Sequence, residues 1–211
     1  IFGLVWAADA MQVISIGFSA VPISETFGLT VPQALQSGTV FFLGMLIGSM
    51  LFGRIADRIG RRRVLILTVC LDAVFGLGSA FSPDFTTLLA LRFLTGMTVG
   101  GTLPVDYAMM AEFLPPRNRG RWLVWLESFW ALGTIVIALV AWLAHMADPA
   151  GAWRWIFAVA ALPALLGVGL RFWVPESPMY LLRKGDEAGA RAAVDRVLQV
   201  NGSRPLDPGV R

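Results

Sequence analysis

Five carboxylates and one arginine stand inside long apolar stretches of this chain: Asp9, Asp72, Asp106, Glu112, Glu127 and Arg92. A charge at mid-membrane costs at least ~2.5–3.5 kcal/mol, so such residues mark ion paths, proton relays or counter-charges for a ligand. Arg92 keeps its proton in any protein setting and needs a partner, water or backbone oxygens. Asp9 is the expected partner. Its stretch enters from one end and that of Arg92 from the other, which brings both near mid-depth. Changing the distance between a carboxylate and a guanidinium, or their hydration, changes proton affinity. Movement of the two stretches would thus couple proton binding to conformation. The plainer alternative is a static ion pair that orders the bundle.

Helical geometry sorts the rest. Fourteen residues at about 100° each return Asp106 to within about 40° of the Arg92 face, so Asp106 is expected in the same cavity. Glu112 falls near the opposite side and is expected to meet Arg58 or Arg119, with a kink at Pro104 as the complication. Glu127 precedes Trp130 by three residues. A carboxylate beside an indole face suits a cationic or hydrogen-bonding ligand, and in its protonated form it donates to an organic acid. With Gln12, these residues are the polar candidates for a substrate cavity. Asp72 has no visible partner in the sequence.

The elements that carry these residues are six apolar stretches: Phe2–Phe27, Ala34–Ile55, Val64–Phe81, Phe85–Leu114, Trp122–Met146 and Trp153–Val174. Each is long enough to cross a bilayer as a helix. The 211 residues are 56% hydrophobic and 15% charged, well below the charge of a soluble domain. Every Lys and Arg except Arg92 and Arg154 falls in or beside loops on one side, while the opposite loops carry Glu25, Asp84 and Asp148. That asymmetry predicts a multi-pass membrane protein with both termini in the cytoplasm. It also explains the net charge of +3 without nucleic acid. The single Cys70 supports neither a disulfide framework nor a cysteine metal site, and no metal ligand set is expected. The first stretch runs to Phe27 and carries Asp9, so it is read as a span rather than a cleaved signal, behind a trimmed N-terminus. Residues 1–175 are expected to form the membrane domain. Residues 176–211 are expected to form a cytoplasmic segment, with an amphipathic helix over Met179–Val200 and a mobile tail. Gly44, Gly48, Gly96, Gly100 and Gly101 offer faces for close helix contact, and Trp122, Trp153 and Trp155 stand where interfacial anchors belong.

The strongest local signal is Gly53-Arg-Ile-Ala-Asp-Arg-Ile-Gly-Arg-Arg-Arg63, in the turn between the second and third stretches. Gly53 is expected to permit close helix approach and Gly60 the chain reversal. Asp57 is expected to cap the third helix or pair with an arginine. This run resembles the G-x-x-x-D-R-x-G-R-R loop of the major facilitator superfamily. Arg92-Phe-Leu-Thr-Gly-Met-Thr-Val-Gly-Gly101, Glu112-Phe-Leu-Pro-Pro-Arg-Asn-Arg-Gly120, Trp153-Arg-Trp155 and Pro175-Glu-Ser-Pro178 are similar to motifs of its sugar-porter-like members. Leu126-Glu-Ser-Phe-Trp-Ala-Leu-Gly133 and Asp9-Ala-Met11 look more like the metabolite:proton branch, which includes niacin, aromatic-acid and synaptic-vesicle-like proteins.

The resemblance implies an all-α fold: six transmembrane helices in a 3+3 inverted repeat, half of a twelve-helix transporter. It implies Asp9 and Arg92 as the proton-coupling pair. It also implies a cytoplasmic gate at Gly53, Asp57, Arg58, Gly60, Arg61, Arg62, Glu112 and Arg119, in which Asp57 and Arg58 latch the two halves. The expected activity is proton-coupled movement of a small organic metabolite, an aromatic carboxylate favoured, with Arg92 as a counter-charge. A sugar symporter or a uniporter is the alternative, and a non-transporting receptor on a transporter fold is another. An integral membrane enzyme is disfavoured: H-E-x-x-H, G-x-S-x-G and phosphate-cradling loops are missing from the sequence. The expected partners are substrate, protons, lipid, and a second six-helix half, without which transport is not expected. A plasma or bacterial inner membrane is the expected location.

Overall fold

The structure, a computed structural model, describes residues 2–114, 117–171, 175–200 and 202. Its helices are α1 (Phe2–Phe27), α2 (Val31–Ala34), α3 (Gln36–Ile59), α4 (Arg61–Ala80), α5 (Phe85–Phe113), α6 (Arg119–Ala147), α7 (Ala152–Arg171), α8 (Pro178–Arg183) and α9 (Glu187–Val200). No strand occurs among the described residues. Five of these helices are long and apolar enough to cross a membrane, and α7 adds a shorter apolar run over Ala152–Gly167. The predicted end of the sixth stretch at Val174 lies outside the described residues.

Helix ends depart from the predicted stretches at the basic side. α3 runs on to Ile59, α4 begins at Arg61 rather than Val64, and α6 begins at Arg119 rather than Trp122. Arginine is a good helix former, so loss of hydropathy marks the edge of the bilayer and not the end of the helix. At the opposite side the caps are local. Thr30 and Gln33 box the start of α2, and Asp84 accepts the Thr87 N–H at 2.8 Å to cap α5. That hydrogen bond holds the exposed Asp84 carboxyl below its ordinary range.

The packing has a two-fold pattern. α3 lies on α5 and α6 on α1; α4 packs on α5 and α7 on α1; α4 and α7 face each other. Exchanging the first three long helices for the last three maps each of these contacts onto another, as an inverted 3+3 repeat requires. The repeat is invisible residue by residue because only the packing faces are alike. Glycines make the closest of these contacts. Gly44 and Gly48 of α3 meet the backbone of Phe93 and Met97, while Gly96 and Gly100 of α5 meet the backbone of Phe41 and Met45. Across the repeat, Gly133 of α6 meets the backbone of Ala7 in α1 in the same manner.

Three expectations are corrected here. A Cβ at Gly53 would meet open space, so this glycine permits no close approach; the helices have already splayed at that level. Gly60 does reverse the chain, with φ of 108°. Trp153 is not an interfacial anchor. It is fully buried against Phe27 and Phe157, with its Nε1 donating to Thr26 at 3.0 Å, while Trp122 and Trp155 remain exposed. Finally, Met179–Val200 is not one helix, because Gly185 at φ 78° breaks it into α8 and α9.

Gly48→Leu places a side chain where backbone now touches backbone and should cost about 1–3 kcal/mol. Gly53→Ala should be neutral or stabilise by up to about 1 kcal/mol through helix propensity. Thermal melting in detergent tests the contrast; equal melting temperatures for the two variants would refute the glycine contact.

Candidate functional site

A polar seam runs through the apolar interior between α1, α4 and α5. Its centre is Arg92, 0% exposed. The guanidinium donates through Nε and Nη2 to Ser79 Oγ at 3.1 and 2.9 Å, through Nη1 to Gln12 Oε1 at 3.3 Å, and through Nη2 to Thr95 Oγ1 at 3.4 Å. Its plane lies over the Phe157 ring, with Cζ 4.1 Å from the centroid, and Phe41 stands 5.9 Å away. These contacts stand where water would otherwise solvate the ion. The acid whose charge acts on Arg92 is Asp72 of α4. Asp9, the partner expected from the sequence, is buried but is not among the described partners of Arg92. Gln12, one turn further along α1, reaches the guanidinium instead, and one turn is about 5 Å of depth.

Arg92 and Asp106 are both buried in the interior of the bundle. Asp106 is 1% exposed and Gln12 0%, so neither lines the cavity expected of them. An odd-charge position in an apolar helix signals an inward face, but it does not distinguish a sealed interior from an open one.

The cavity itself lies beside the seam and measures about 810 Å³. Its walls come from α1 (Trp6), α3 (Met45, Leu46, Ser49), α5 (Gly100, Leu103, Pro104, Tyr107, Ala108) and α6 (Glu127, Trp130). Glu127 and Trp130, spaced three apart on α6, stand in it as the sequence suggested. Trp6 donates its Nε1–H to Glu127 Oε2 at 3.3 Å. The Trp6 ring also meets Tyr107 at 5.9 Å and Trp130 at 6.2 Å between centroids, tilted by 40° and 64°. The result is a three-sided aromatic box with a carboxylate at its edge. Glu127 is the one charged side chain among the described lining residues. Sequence reasoning missed Trp6 and Tyr107, since an aromatic residue in an apolar span carries no mark of which side it faces.

At the basic end of the bundle a second cluster joins four helices. Glu112 of α5 pairs with Arg61 and accepts from Ser177 Oγ. Ser177 caps α8 by accepting the Tyr180 N–H at 3.1 Å. Glu176 accepts the backbone N–H of Arg62 in the first turn of α4 at 3.0 Å, where the positive end of the helix favours an anion. Tyr180 donates to the Arg58 carbonyl at 3.3 Å. Glu112 thus meets neither Arg58 nor Arg119, both exposed, because Arg61 alone projects from the α4 start toward the end of α5. Asp57 does not cap α4, whose N-cap is Gly60; it is exposed in the last turn of α3 and pairs with no described residue. The sequence showed Pro175-Glu-Ser-Pro178 as a helix stop. A serine before proline is also a helix start, and that signal pointed to the Ser177 cap.

Residues 13–209 match the family model described as "Sugar (and other) transporter". The chain is 36% identical over 208 residues to organic cation/carnitine transporter 7 of Arabidopsis thaliana, covering 99% of this chain and 41% of that protein. It is 36% identical over 190 residues to the niacin transporter NiaP of Acinetobacter baylyi, covering 89% and 43%. The synaptic vesicle 2-related protein of Xenopus laevis is 36% identical over 201 residues, covering 95% and 36%. The chain therefore spans less than half the length of the curated relatives it matches. Among solved structures, the major facilitator superfamily proton:xylose symporter XylE superposes with a TM-score of 0.83 at 23% identity, over 93% of this chain and 48% of that one. The contact pattern, the glycine-packed helix pairs and these matches agree, and the chain belongs to the sugar (and other) transporter family, as a multi-pass bundle with the fold of one six-helix half of that symporter.

Proposed function

We propose that this six-helix unit forms one wall of the path of a proton-coupled carrier whose cargo is a small organic cation or zwitterion. The observation that carries the reading is the aromatic box of Trp6, Tyr107 and Trp130 with Glu127 at its edge. Aromatic faces attract cations, by ~2 kcal/mol or more when water is excluded, and a carboxylate adds a full counter-charge. Arg92, the counter-charge expected for an organic anion, is sealed in the seam and away from this cavity. The similarity to an organic cation/carnitine transporter supports the same direction.

A second reading keeps the aromatic carboxylate. A protonated Glu127 donates to such a ligand while Trp6, Tyr107 and Trp130 stack on its ring, and the similarity to a niacin transporter favours it. The two readings differ in the role of the Glu127 charge.

Coupling belongs to the seam, where Arg92 with the acids Asp9 and Asp72 forms a water-poor set of ionisable groups. The basic side faces the cytoplasm. There, Asp57 and Arg58 are exposed, which leaves them free to serve as a latch to a second six-helix unit, while the Arg61–Glu112–Ser177 cluster joins helices within this unit.

Uptake by this unit assembled with a second six-helix half in proteoliposomes, under an imposed proton gradient and with a panel of organic cations, aromatic acids and sugars, tests the cargo. Glu127→Gln should cut cation uptake by at least about tenfold, and Trp6→Ala should do the same. Uptake of an aromatic acid that survives Glu127→Gln, with cations ignored, would select the second reading; sugar uptake alone would sink both. Glu112→Gln should loosen the α8 dock, by about 2–3 kcal/mol for a charge-assisted contact, and should raise proteolysis between α7 and α9. Unchanged cleavage would remove the cluster from the gate.

A further inference from the structure

Asp72, Gly76 and Ser79 share one face of α4 at spacings of four and three residues. Ser79 holds two nitrogens of Arg92. Gly76 lies against Gln12, so that a Cβ there would stand 2.6 Å from the Gln12 Nε2. Gln12 in turn accepts from Arg92 through its oxygen. The guanidinium is thus held at Ser79, two turns of α4 from Asp72, which is itself buried, with Thr98 of α5 and Gln12 of α1 beside it. Two side-chain atoms at this crossing, the Gln12 Nε2 donor and the Asp72 Oδ1 acceptor, make no hydrogen bond of full geometry, although the two side chains stand close enough to interact. Buried polar groups are nearly always satisfied, so a donor and an acceptor left in an incomplete contact are the groups whose pairing a change of charge would alter.

We propose that Asp72 carries the coupled proton and that Gln12 transmits its protonation state to α1; this rests on the proton-coupled reading given above. Ionised, Asp72 balances Arg92 and attracts the amide donor of Gln12. Loading moves a proton from water to Asp72 Oδ1, forming an O–H bond; release on the other side of the membrane returns it to water, with nothing oxidised or reduced. Loading removes the charge that balances Arg92, so the guanidinium and Gln12 must rearrange. The charged groups to be considered around Asp72 are Arg92 from α5 and Asp9 from α1, with Asp106 further along α5; from α7, Ala161 meets Gly76, Ala164 packs with Ala73, and Phe157 covers Arg92. α1 also carries Trp6, six residues before Gln12 and hydrogen-bonded to Glu127. A shift of α1 that re-pairs Gln12 therefore alters the aromatic box.

Two readouts separate this proposal from the cargo reading. Infrared pH-difference spectra of the purified protein report the carboxylic C=O stretch of a buried acid without any need for transport. That band is expected in the wild type and in Asp9→Asn, lost in Asp72→Asn, and shifted in Asp72→Glu. The double variant Asp72→Asn/Arg92→Gln, which removes both charges, guards against loss of folding and should also lack the band. In proteoliposomes, Asp72→Asn should lower gradient-driven accumulation about tenfold while exchange at equal pH stays within about twofold of wild type. A band that persists in Asp72→Asn, or disappears only in Asp9→Asn, would overturn the assignment. Loss of the band with accumulation intact would overturn it too, leaving an acid that titrates without coupling. Wild-type uptake indifferent to the gradient would sink the coupled reading and this one together, whereas a failure confined to the choice of cargo would leave the infrared result standing.

Discussion

The structure is organised around one burial: the guanidinium of Arg92 in an apolar interior. An ion that cannot shed its proton must be given hydrogen-bond acceptors and charge, or it does not stay. α4 supplies Ser79 and Asp72, α1 supplies Gln12, and α5 itself supplies Thr95, while Phe157 of α7 covers the plane of the ion. Four helices are drawn to one side chain. The stretch of hydroxyl-bearing residues along α5, Thr95, Thr98 and Thr102, continues the same polar line and satisfies itself through its own carbonyls.

Around that centre, the apolar surface divides by function. The faces turned inward are small: glycines on α3, α5 and α6, and alanines on α7, let backbones approach without wedging. Dispersion and close contact hold membrane helices together in the absence of a hydrophobic difference from lipid. The faces turned outward keep large exposed residues such as Leu43, Leu139, Val136 and Leu166, as contact with acyl chains requires. The two ends are closed by polar joints of different kinds. At one end Trp153, Thr26 and Arg154 bind loop carbonyls and each other. At the other end carboxylates and arginines do the work, so that joint responds to ionic strength and the first does not.

Much of the fold was legible because length and hydropathy report directly on crossing a bilayer. The six stretches, their order and the special roles of Gly44, Gly48, Gly96 and Gly100 were all readable. Helix ends were not, since α4 and α6 extend into arginine runs that hydropathy assigns to loops. The candidate site was half legible. Glu127 and Trp130 could be placed by spacing on one helix. The partners of Arg92 could not, because they depend on which turns of α1 and α4 lie level with it, and spacing along one helix did not assign it Gln12, Ser79 or Asp72. Gly53 shows the opposite error: a glycine in a recognisable motif faces open space, and its neighbour Gly60 carries the backbone demand.

The double glycine contact between α3 and α5 has a mechanical consequence for the cavity. Backbone pressed on backbone at four places leaves no side chains to repack, so these two helices act as a single stiff plank. That plank supplies Met45, Leu46, Ser49, Leu103 and Tyr107 to one side of the cavity. The facing side, α1 and α6, is joined through Gly133 alone among such backbone contacts and carries Trp6, Glu127 and Trp130. The cavity thus stands between one wall locked backbone to backbone along its length and one wall with a single such contact, and the second wall is the one that carries the charge.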